Sequence, residues 1–568
     1  MKLFRKIQKW FENQENLYYL FLIILIVPNI VLCFTEPMPL VAKVCNVLLP
    51  FSIYHMIMSW SGNCGRTFWI LFPFLFFGAF QIVLLYLFGQ SVIAVDMFLN
   101  LVTTNPGEAL ELLDNLIPAI IIVVLLYIPA LILAAVAVSK KRRLSETFGR
   151  RERKRARITV IAGILSLVAA YLFDARYELK SDLYPANVCY NIALAFQRTA
   201  QTQHYAETSK DFTFQAKTTR PEKNREVYVM VIGETSRAAN WSIYGYNRNT
   251  NPELTKIKGL TAFSHVLTES NTTHKSVPML MSSVTAHDFN SIYRQKGIIT
   301  AFKEAGYRTA FFSNQRYNHS FIDFFGKEAD ICDFIKEDTG DGSYNPSDDE
   351  LLKLVAAELA ENASKQFIVL HTYGSHFNYR ERYPADNAFF LPDFPVDAEL
   401  KYKDNLINAY DNSIRYTDNF LARLIRMLQE QDIDAAMLYT SDHGEDIFDD
   451  DRHLFLHASP VPSYYQIHVP FLVWMSDNYR KNYPDFLKNA EINRQKNISS
   501  SASFFQTMLE LGGIDTPSRN DSLSVINASY TEKNRVYLND HNEARSLDDI
   551  GMREEDFTML QTKGIVYR

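Results

Sequence analysis

A chain of 568 residues has room for two or three domains, and its net charge of −6 is no signature of a nucleic-acid binder. Five cysteines, Cys33, Cys45, Cys64, Cys189 and Cys332, have no zinc-thiolate spacing, and only Cys189 and Cys332 lie beyond the apolar N-terminal part. A disulfide framework is excluded, leaving at most one bridge outside that part.

The apolar residues are gathered into runs at 16–34, 39–60, 67–88, 116–138 and 158–173. A helix crossing a bilayer needs about 20 apolar residues, and five such runs cannot be one cleaved signal peptide. The expectation is five transmembrane helices. Lys and Arg set their orientation. The N-terminus "MKLFRKIQKW" is basic, and the segment 139–157 carries ten Lys or Arg. The loops "TEPMP" and 89–115 carry none. The N-terminus and 139–157 therefore belong in the cytoplasm, and everything after about residue 174 belongs outside. Lying between two spans, the basic segment reads as a topology signal and not as a nucleic-acid patch.

Residues 174–222 read as a connecting helix and a linker that ends in the polar stretch "KTTRPEKNRE". Short β-branched runs follow: "VYVMVIG" at 227–233, "RTAFFS" at 308–313, "QFIVLHT" at 366–372, "AAMLYTS" at 435–441 and "VPFLVWM" at 469–475. Helical patterns separate them, including 406–431. This alternation predicts an α/β domain over 223–568 with a largely parallel sheet covered on both faces. With 1–173 in the membrane, the chain has two functional parts joined by 174–222.

In open sheets of this kind, ligands bind beyond the carboxyl ends of the strands. Here those ends carry Glu234, then His376 in "TYGSH", then Asp442 and His443 in "SDHGE", with His453 and His457 shortly after. All thirteen histidines except His55 lie after residue 200. Two carboxylates and an imidazole suit zinc, whose catalytic sites keep one position for the reacting group. The stretch "NTTHKSVP" offers Thr272 and Thr273 near an expected helix start, where a helix N-terminus stabilises negative charge. Either threonine could be an activated nucleophile, and either could simply cap the helix.

The motifs "VIGETSRAANWSIYGYNRNTNP", "NTTHKSVP", "HTYGSH", "YDNSIRYTD", "YTSDHGE" and "FLH" together resemble the phosphoethanolamine transferases of the Gram-negative inner membrane. That family includes lipid A modifying enzymes of polymyxin resistance, and its catalytic domain is similar to alkaline phosphatases and sulfatases. The resemblance implies five spans followed by a periplasmic domain. The family pattern T-x-x-S-V-P falls on Thr273 to Pro278 and selects Thr273 as nucleophile. The resemblance puts the zinc ligands on Glu234, Thr273, Asp442 and His443, and the phosphate-contacting histidines on His376 and His457. A lysine-like residue that helps bind phosphoethanolamine falls on His319, which departs from the family type. The family's headgroup residues N-x-x-x-T-x-x-x-E fall on Asn100, Thr104 and Glu108, a spacing that stacks them on one helix face. The shortage of external cysteine is a second departure, since well-known members carry several disulfides.

The activity implied is transfer of phosphoethanolamine from phosphatidylethanolamine to an envelope acceptor, lipid A or lipopolysaccharide core, through a phosphoethanolamine-threonine intermediate. Zn²⁺ is the implied cofactor, and the implied partners are the donor lipid, the membrane and the acceptor, with no nucleic acid. A rival reading is a phosphoglycerol transferase similar to lipoteichoic acid synthase, with manganese and phosphatidylglycerol, or another sulfatase-like phosphodiesterase. A second rival is a membrane sensor with a degenerate enzyme domain.

Overall fold

The computed structural model describes residues 2–36, 38–88, 92–98, 116–174, 177–221, 225–337 and 345–567. The chain divides into two compact units, with the boundary between Gln197 and Arg198.

The first unit is helical. A basic helix α1 (Lys2–Glu12) precedes α2 (Gln14–Thr35) and α3 (Leu40–Ser59). Next come α4 (Cys64–Ile70) and α5 (Phe72–Phe88), then α6 (Ile117–Ser139) and α7 (Glu146–Phe173). Among the described residues, α2, α3, α6 and α7 are long and apolar enough to cross a membrane. The pair α4 and α5 makes a fifth if it counts as one span bent by 62°. The break falls at Leu71, just before Pro73, which has no N–H to continue the ladder and would crowd the carbonyl four residues back in an unbroken helix. Helix α7 begins twelve residues before the apolar run expected at 158–173. Ser145 caps it, accepting from the Phe148 N–H at 3.2 Å, and the Arg and Lys that follow are good helix formers.

The second unit is built on a seven-stranded sheet. Its strands are β1 (Glu226–Gly233), β2 (Leu260–Phe263), β3 (Arg308–Ser313), β4 (Ile331–Phe334), β5 (Lys365–His371), β6 (Asp434–Ser441) and β7 (Phe471–Met475). Their spatial order is β2-β7-β6-β1-β5-β3-β4. The pairs β6-β1, β1-β5, β5-β3 and β3-β4 are parallel. Strand β7 is antiparallel to both neighbours, so the run "VPFLVWM" lies against the otherwise common direction. Apolar alternation encodes which face a residue takes but not which way a strand runs. The reversal matters for the site. Because β7 starts at the edge where β6 ends, the whole segment 442–470 stays on that edge.

Each face of the sheet is covered. Tyr228, Met230 and Ile232 of β1 pack with Val277, Met279 and Leu280 of α8 (Thr273–Leu280). Val227, Val229 and Val231 pack on the other face with Leu406, Ile414 and Leu421 of α9 (Lys403–Gln429). The segment just before β1 belongs to this unit as well. Tyr205, Phe214 and Ala216 are buried in the first of these clusters, and Lys217–Thr218 pairs with Ile514–Asp515.

Candidate active site

Register brings the reactive groups together. Gly233 of β1 pairs with Ser441 of β6, and Ile232 pairs with His371 of β5. The next residues, Glu234, Asp442 and Thr372, therefore leave the sheet at one level. Close packing fixes the turn after β5. Gly374 has φ +50°, and a Cβ there would lie 2.6 Å from the Glu234 carbonyl oxygen. Asp348 accepts from the Tyr373 and Gly374 N–H groups at 2.8 and 3.0 Å. From the far face, the Tyr410 hydroxyl of α9 donates to the Thr235 carbonyl at 2.7 Å and accepts from the Arg237 N–H at 2.9 Å.

The helix start is held from the other side. Thr268 Oγ1 donates to the Asp442 carbonyl at 2.8 Å, and Asn271 Nδ2 donates to the Ser459 carbonyl at 2.8 Å and to Gln466 Oε1. Thr272 is the N-cap residue, but its side chain makes no cap bond and turns to Ser270 Oγ at 3.1 Å. Thr273 Oγ1 faces the other way. It lies 3.4 Å from both Glu234 carboxylate oxygens and 3.1 Å from His443 Nε2.

Glu234, Asp442 and His443 are all within 1% of full burial. His443 Nδ1–H donates to the Gly444 carbonyl at 2.9 Å, which leaves the Nε2 lone pair facing Thr273. Fixing one ring nitrogen on a carbonyl is how metal-ligating histidines are oriented. Asp442 Oδ1 accepts from the Thr235 and His443 N–H groups, and Asp442 Oδ2 lies 3.2 Å from His443 Nε2. Glu234 accepts from Thr235 Oγ1 at 2.6 Å and from Gln315 Nε2 at 3.1 Å. Burial, and then Asp442, push the Glu234 carboxyl well above its ordinary range. Burial pushes Asp442 up to about 6. Burial and the neighbouring His457 hold His443 well below the usual imidazole range. Two dry carboxylates side by side and an imidazole kept neutral form a donor set that suits a divalent cation.

His457 joins this cluster: one donor atom from each of Glu234, His443 and His457 falls within 4.8 Å of the others. The His443 and His457 ring centroids are 4.1 Å apart, and His376 lies 6.2 Å from His457. His376 stacks on Tyr373 at 5.0 Å, and its Nδ1–H donates to the Phe377 carbonyl at 2.6 Å. Burial, with His457 and Arg382 nearby, pushes His376 down to about 3. Glu445 is fully buried, with Oε1 3.5 Å from His457 Nδ1. Gln315 and Glu445 were not singled out from sequence. Glu445 sits inside the quoted "SDHGE", and its position two residues after His443 was the available signal.

The other candidates lie apart. His319 is exposed, adopts φ +59° and sets its ring against Tyr317 at 4.5 Å. His453 also has a left-handed backbone, at φ +53°. Neither is among the residues that converge on Thr273. Asn100, Thr104 and Glu108 lie outside the described residues. No described cysteine is in a disulfide, Cys189 and Cys332 included.

The chain is similar to known proteins. The family model described as Sulfatase matches residues 226–514, more than half of the chain. The chain belongs to the sulfatase family. A second model, described as "Phosphoethanolamine transferase EptA/EptB", matches residues 64–200. A Kdo(2)-lipid A phosphoethanolamine 7''-transferase of Escherichia coli (strain K12) is 32% identical over 304 residues, 51% of each chain. Phosphoethanolamine transferase EptC of Escherichia coli O18:K1:H7 is 26% identical over 56% of each chain. The chain thus spans about half the length of the curated relatives it matches. Among solved structures, the zinc complex of the C-terminal periplasmic domain of Escherichia coli EptC is 25% identical, with a TM-score of 0.54 over 59% of this chain and 95% of that one. The integral membrane protein EptA of Neisseria meningitidis shares the fold across 89% of this chain and 98% of its own, with a TM-score of 0.71 at 19% identity. This sulfatase-family protein therefore joins an apolar helical unit to an alkaline phosphatase/sulfatase-like domain.

Proposed function

We propose that this sulfatase-family protein transfers phosphoethanolamine from phosphatidylethanolamine to an envelope acceptor, lipid A or lipopolysaccharide core, through a covalent intermediate on Thr273. The observation that carries the reading is the Thr273 hydroxyl at a helix start, 3.1 Å from His443 Nε2 and 3.4 Å from the Glu234 carboxylate. Relatives named as phosphoethanolamine transferases support the group transferred, and one named for Kdo(2)-lipid A supports the acceptor class. A multi-pass chain with its catalytic domain in the periplasm, anchored in the bacterial inner membrane, meets both lipids at the membrane surface.

Glu234, Thr273, Asp442 and His443 would hold Zn²⁺, with His457 within reach of the same position. Bound there, zinc supplies positive charge that favours the threonine alkoxide and the phosphoryl oxygens. Thr273 Oγ1 forms a bond to phosphorus in line with the departing glycerol oxygen, and diacylglycerol leaves with a proton. An acceptor oxygen then bonds to phosphorus, and the Thr273 oxygen is released and reprotonated. His376 or His457 can serve both steps, passing the proton lost by Thr273 to the departing glycerol oxygen and later passing the acceptor's proton back to the Thr273 oxygen. His376 Nδ1–H is held on the Phe377 carbonyl, and the Glu445 carboxylate lies 3.5 Å from His457 Nδ1.

Incubating the protein with phosphatidylethanolamine and no acceptor should add one phosphoethanolamine mass to the peptide holding Thr273. An adduct on Thr272 moves the nucleophile by one residue. Transfer to an acceptor with no adduct at all rejects the covalent route.

A further inference from the structure

The helical unit holds a cavity of about 320 Å³ at the end of the bundle where the ten-cation segment 139–157 begins. This is near the lower end of the roughly 300–1,000 Å³ typical of small-molecule sites. Phe11 of α1 and Leu133 and Val136 of α6 line its apolar part, while Lys140, Arg142 and Glu12 line its polar part. The turn that carries the two cations is fixed. Asn63 Nδ2 donates to the Arg142 carbonyl at 2.7 Å and to the Ala137 carbonyl at 3.3 Å, and the Arg142 N–H donates to Ala137 at 3.0 Å. Arg142 Nη1 donates to the Glu12 carbonyl at 3.3 Å, which ties the turn to the end of α1. In this lining the two cations Lys140 and Arg142 outnumber the one carboxylate, Glu12.

We infer that this cavity is a binding site for one anionic phospholipid. An acyl chain would lie along Phe11, Leu133 and Val136, and the phosphate would meet Lys140 and Arg142. The chemistry of the lining argues for this occupant. A soluble anion has no use for the apolar side, and a zwitterionic lipid brings its own cation to a lining that already holds two against one carboxylate. By the charge-bias rule, this end of the bundle faces the cytoplasmic leaflet, whose surface is negative where anionic lipids are present. The basic α1, with its "KLFRKIQKWFE" pattern, suits a helix lying at that surface. The site takes no part in the chemistry proposed for Thr273 and stands whether or not that reading holds.

The test uses the full-length protein in mild detergent with equal amounts of phosphatidylglycerol and phosphatidylethanolamine of identical chains. Native mass spectrometry should find about one phosphatidylglycerol retained in preference, as a single site requires. The double variant K140Q/R142Q should lower that retention by at least about tenfold, the scale set by two cations near an anionic surface. Val136→Trp, which fills the apolar part and keeps both cations and the Asn63 bonds, should lower it similarly and decides alone if the charge variant does not insert. Equal retention of the two lipids by wild type overturns the site. So does undiminished retention in both variants. Loss in K140Q/R142Q alone also overturns it, because charge at the surface would then suffice without the cavity.

Discussion

Thr272 and Thr273 are neighbours of one residue type in opposite surroundings, and local sequence left both the nucleophile and the capping role open. The backbone separates them: the N-cap side chain turns to Ser270, while the first helical residue turns to Glu234 and His443. Thr273→Ala should cut transfer by at least about a thousandfold, as loss of a covalent nucleophile does, with the fold intact. Thr273→Ser should keep measurable activity. Thr272→Ala, which removes no cap bond, should cost less than about 1 kcal/mol and leave turnover near wild type. Transfer rates and thermal unfolding of the three variants check this pattern. Glu234, Asp442, His443 and His376 were legible because each directly follows a strand or its short turn. Gln315 was not, since its bond to Glu234 depends on which strands adjoin. Glu445 was visible only as part of a motif. Because its carboxylate is the group set against His457 Nδ1, Glu445→Gln should lower transfer by about 10- to 100-fold, the range for removing such an orienting partner. Bound zinc should stay unchanged, and elemental analysis beside the rate measurement separates the two effects.

Strands placed the site more firmly than helices did. The five β runs read from sequence all became sheet strands, while β2 and β4, four residues each, were too short to carry a periodic signal. The direction of β7 was illegible for a physical reason, because burial patterns look the same in either sense. The broken span was legible in principle, as Pro73 stands two residues past the point where α4 and α5 part. At this scale, the turn after β5 is the most exposed to test. Gly374 combines φ +50° with a 2.6 Å approach to the Glu234 carbonyl, so an added methyl must move the backbone that carries a proposed metal ligand. Gly374→Ala should lose stability on the order of 1–3 kcal/mol through strain and contact. It should also lose zinc and transfer together, whereas Gly306→Ala, with similar backbone strain in open space, should lose only stability. Zinc retained at wild-type level in Gly374→Ala would count against this coupling.

Over the whole chain, the division into an apolar helical unit and an α/β unit follows from composition alone, because apolar runs and β-branched runs do not intermix. Acid response is a property of the α/β unit at large. Burial pushes His371, His376 and His468 each down to about 3. Unfolded histidine titrates near about 6.5, so between these values the unfolded chain binds protons that the fold refuses. Their contribution is complete above the upper value and is lost as pH falls toward the lower one, at about 1.4 kcal/mol per pH unit for each group. Buried Asp446, held up to about 8, and Asp418, held up to about 7, act oppositely, losing stability as pH rises from their unfolded range of about 4. A single variant isolates one histidine. His468 accepts from the Tyr464 hydroxyl at 2.8 Å and donates to the Ser264 carbonyl at 2.9 Å, a pattern that glutamine can imitate. Urea unfolding of His468→Gln at several pH values should give a shallower acid slope by about 1.4 kcal/mol per pH unit, and an unchanged slope would reject the assignment.

Orientation in the membrane rests on a different balance. The segment 139–157 holds ten Lys or Arg between α6 and the apolar part of α7, and the stretch 89–115, before α6 in sequence, holds none. Each cation resists transfer across a bilayer, so the charge-bias rule predicts that the rich segment stays in the cytoplasm and the bare one crosses. Counting α4 and α5 as one bent span gives five crossings, an odd number, which carries the α/β unit to the side opposite the N-terminus. Counting only the four straight helices would leave it on the same side as the N-terminus, against the periplasmic placement proposed above. The 62° bend is therefore the feature on which the topology turns. A reporter that folds only outside the cytoplasm, fused after Arg568, should be active, and a cytoplasm-only reporter at the same point should be silent. Reversed signals would mean that α4 and α5 form a re-entrant hairpin, and would move the catalytic unit to the wrong face for the proposed reaction.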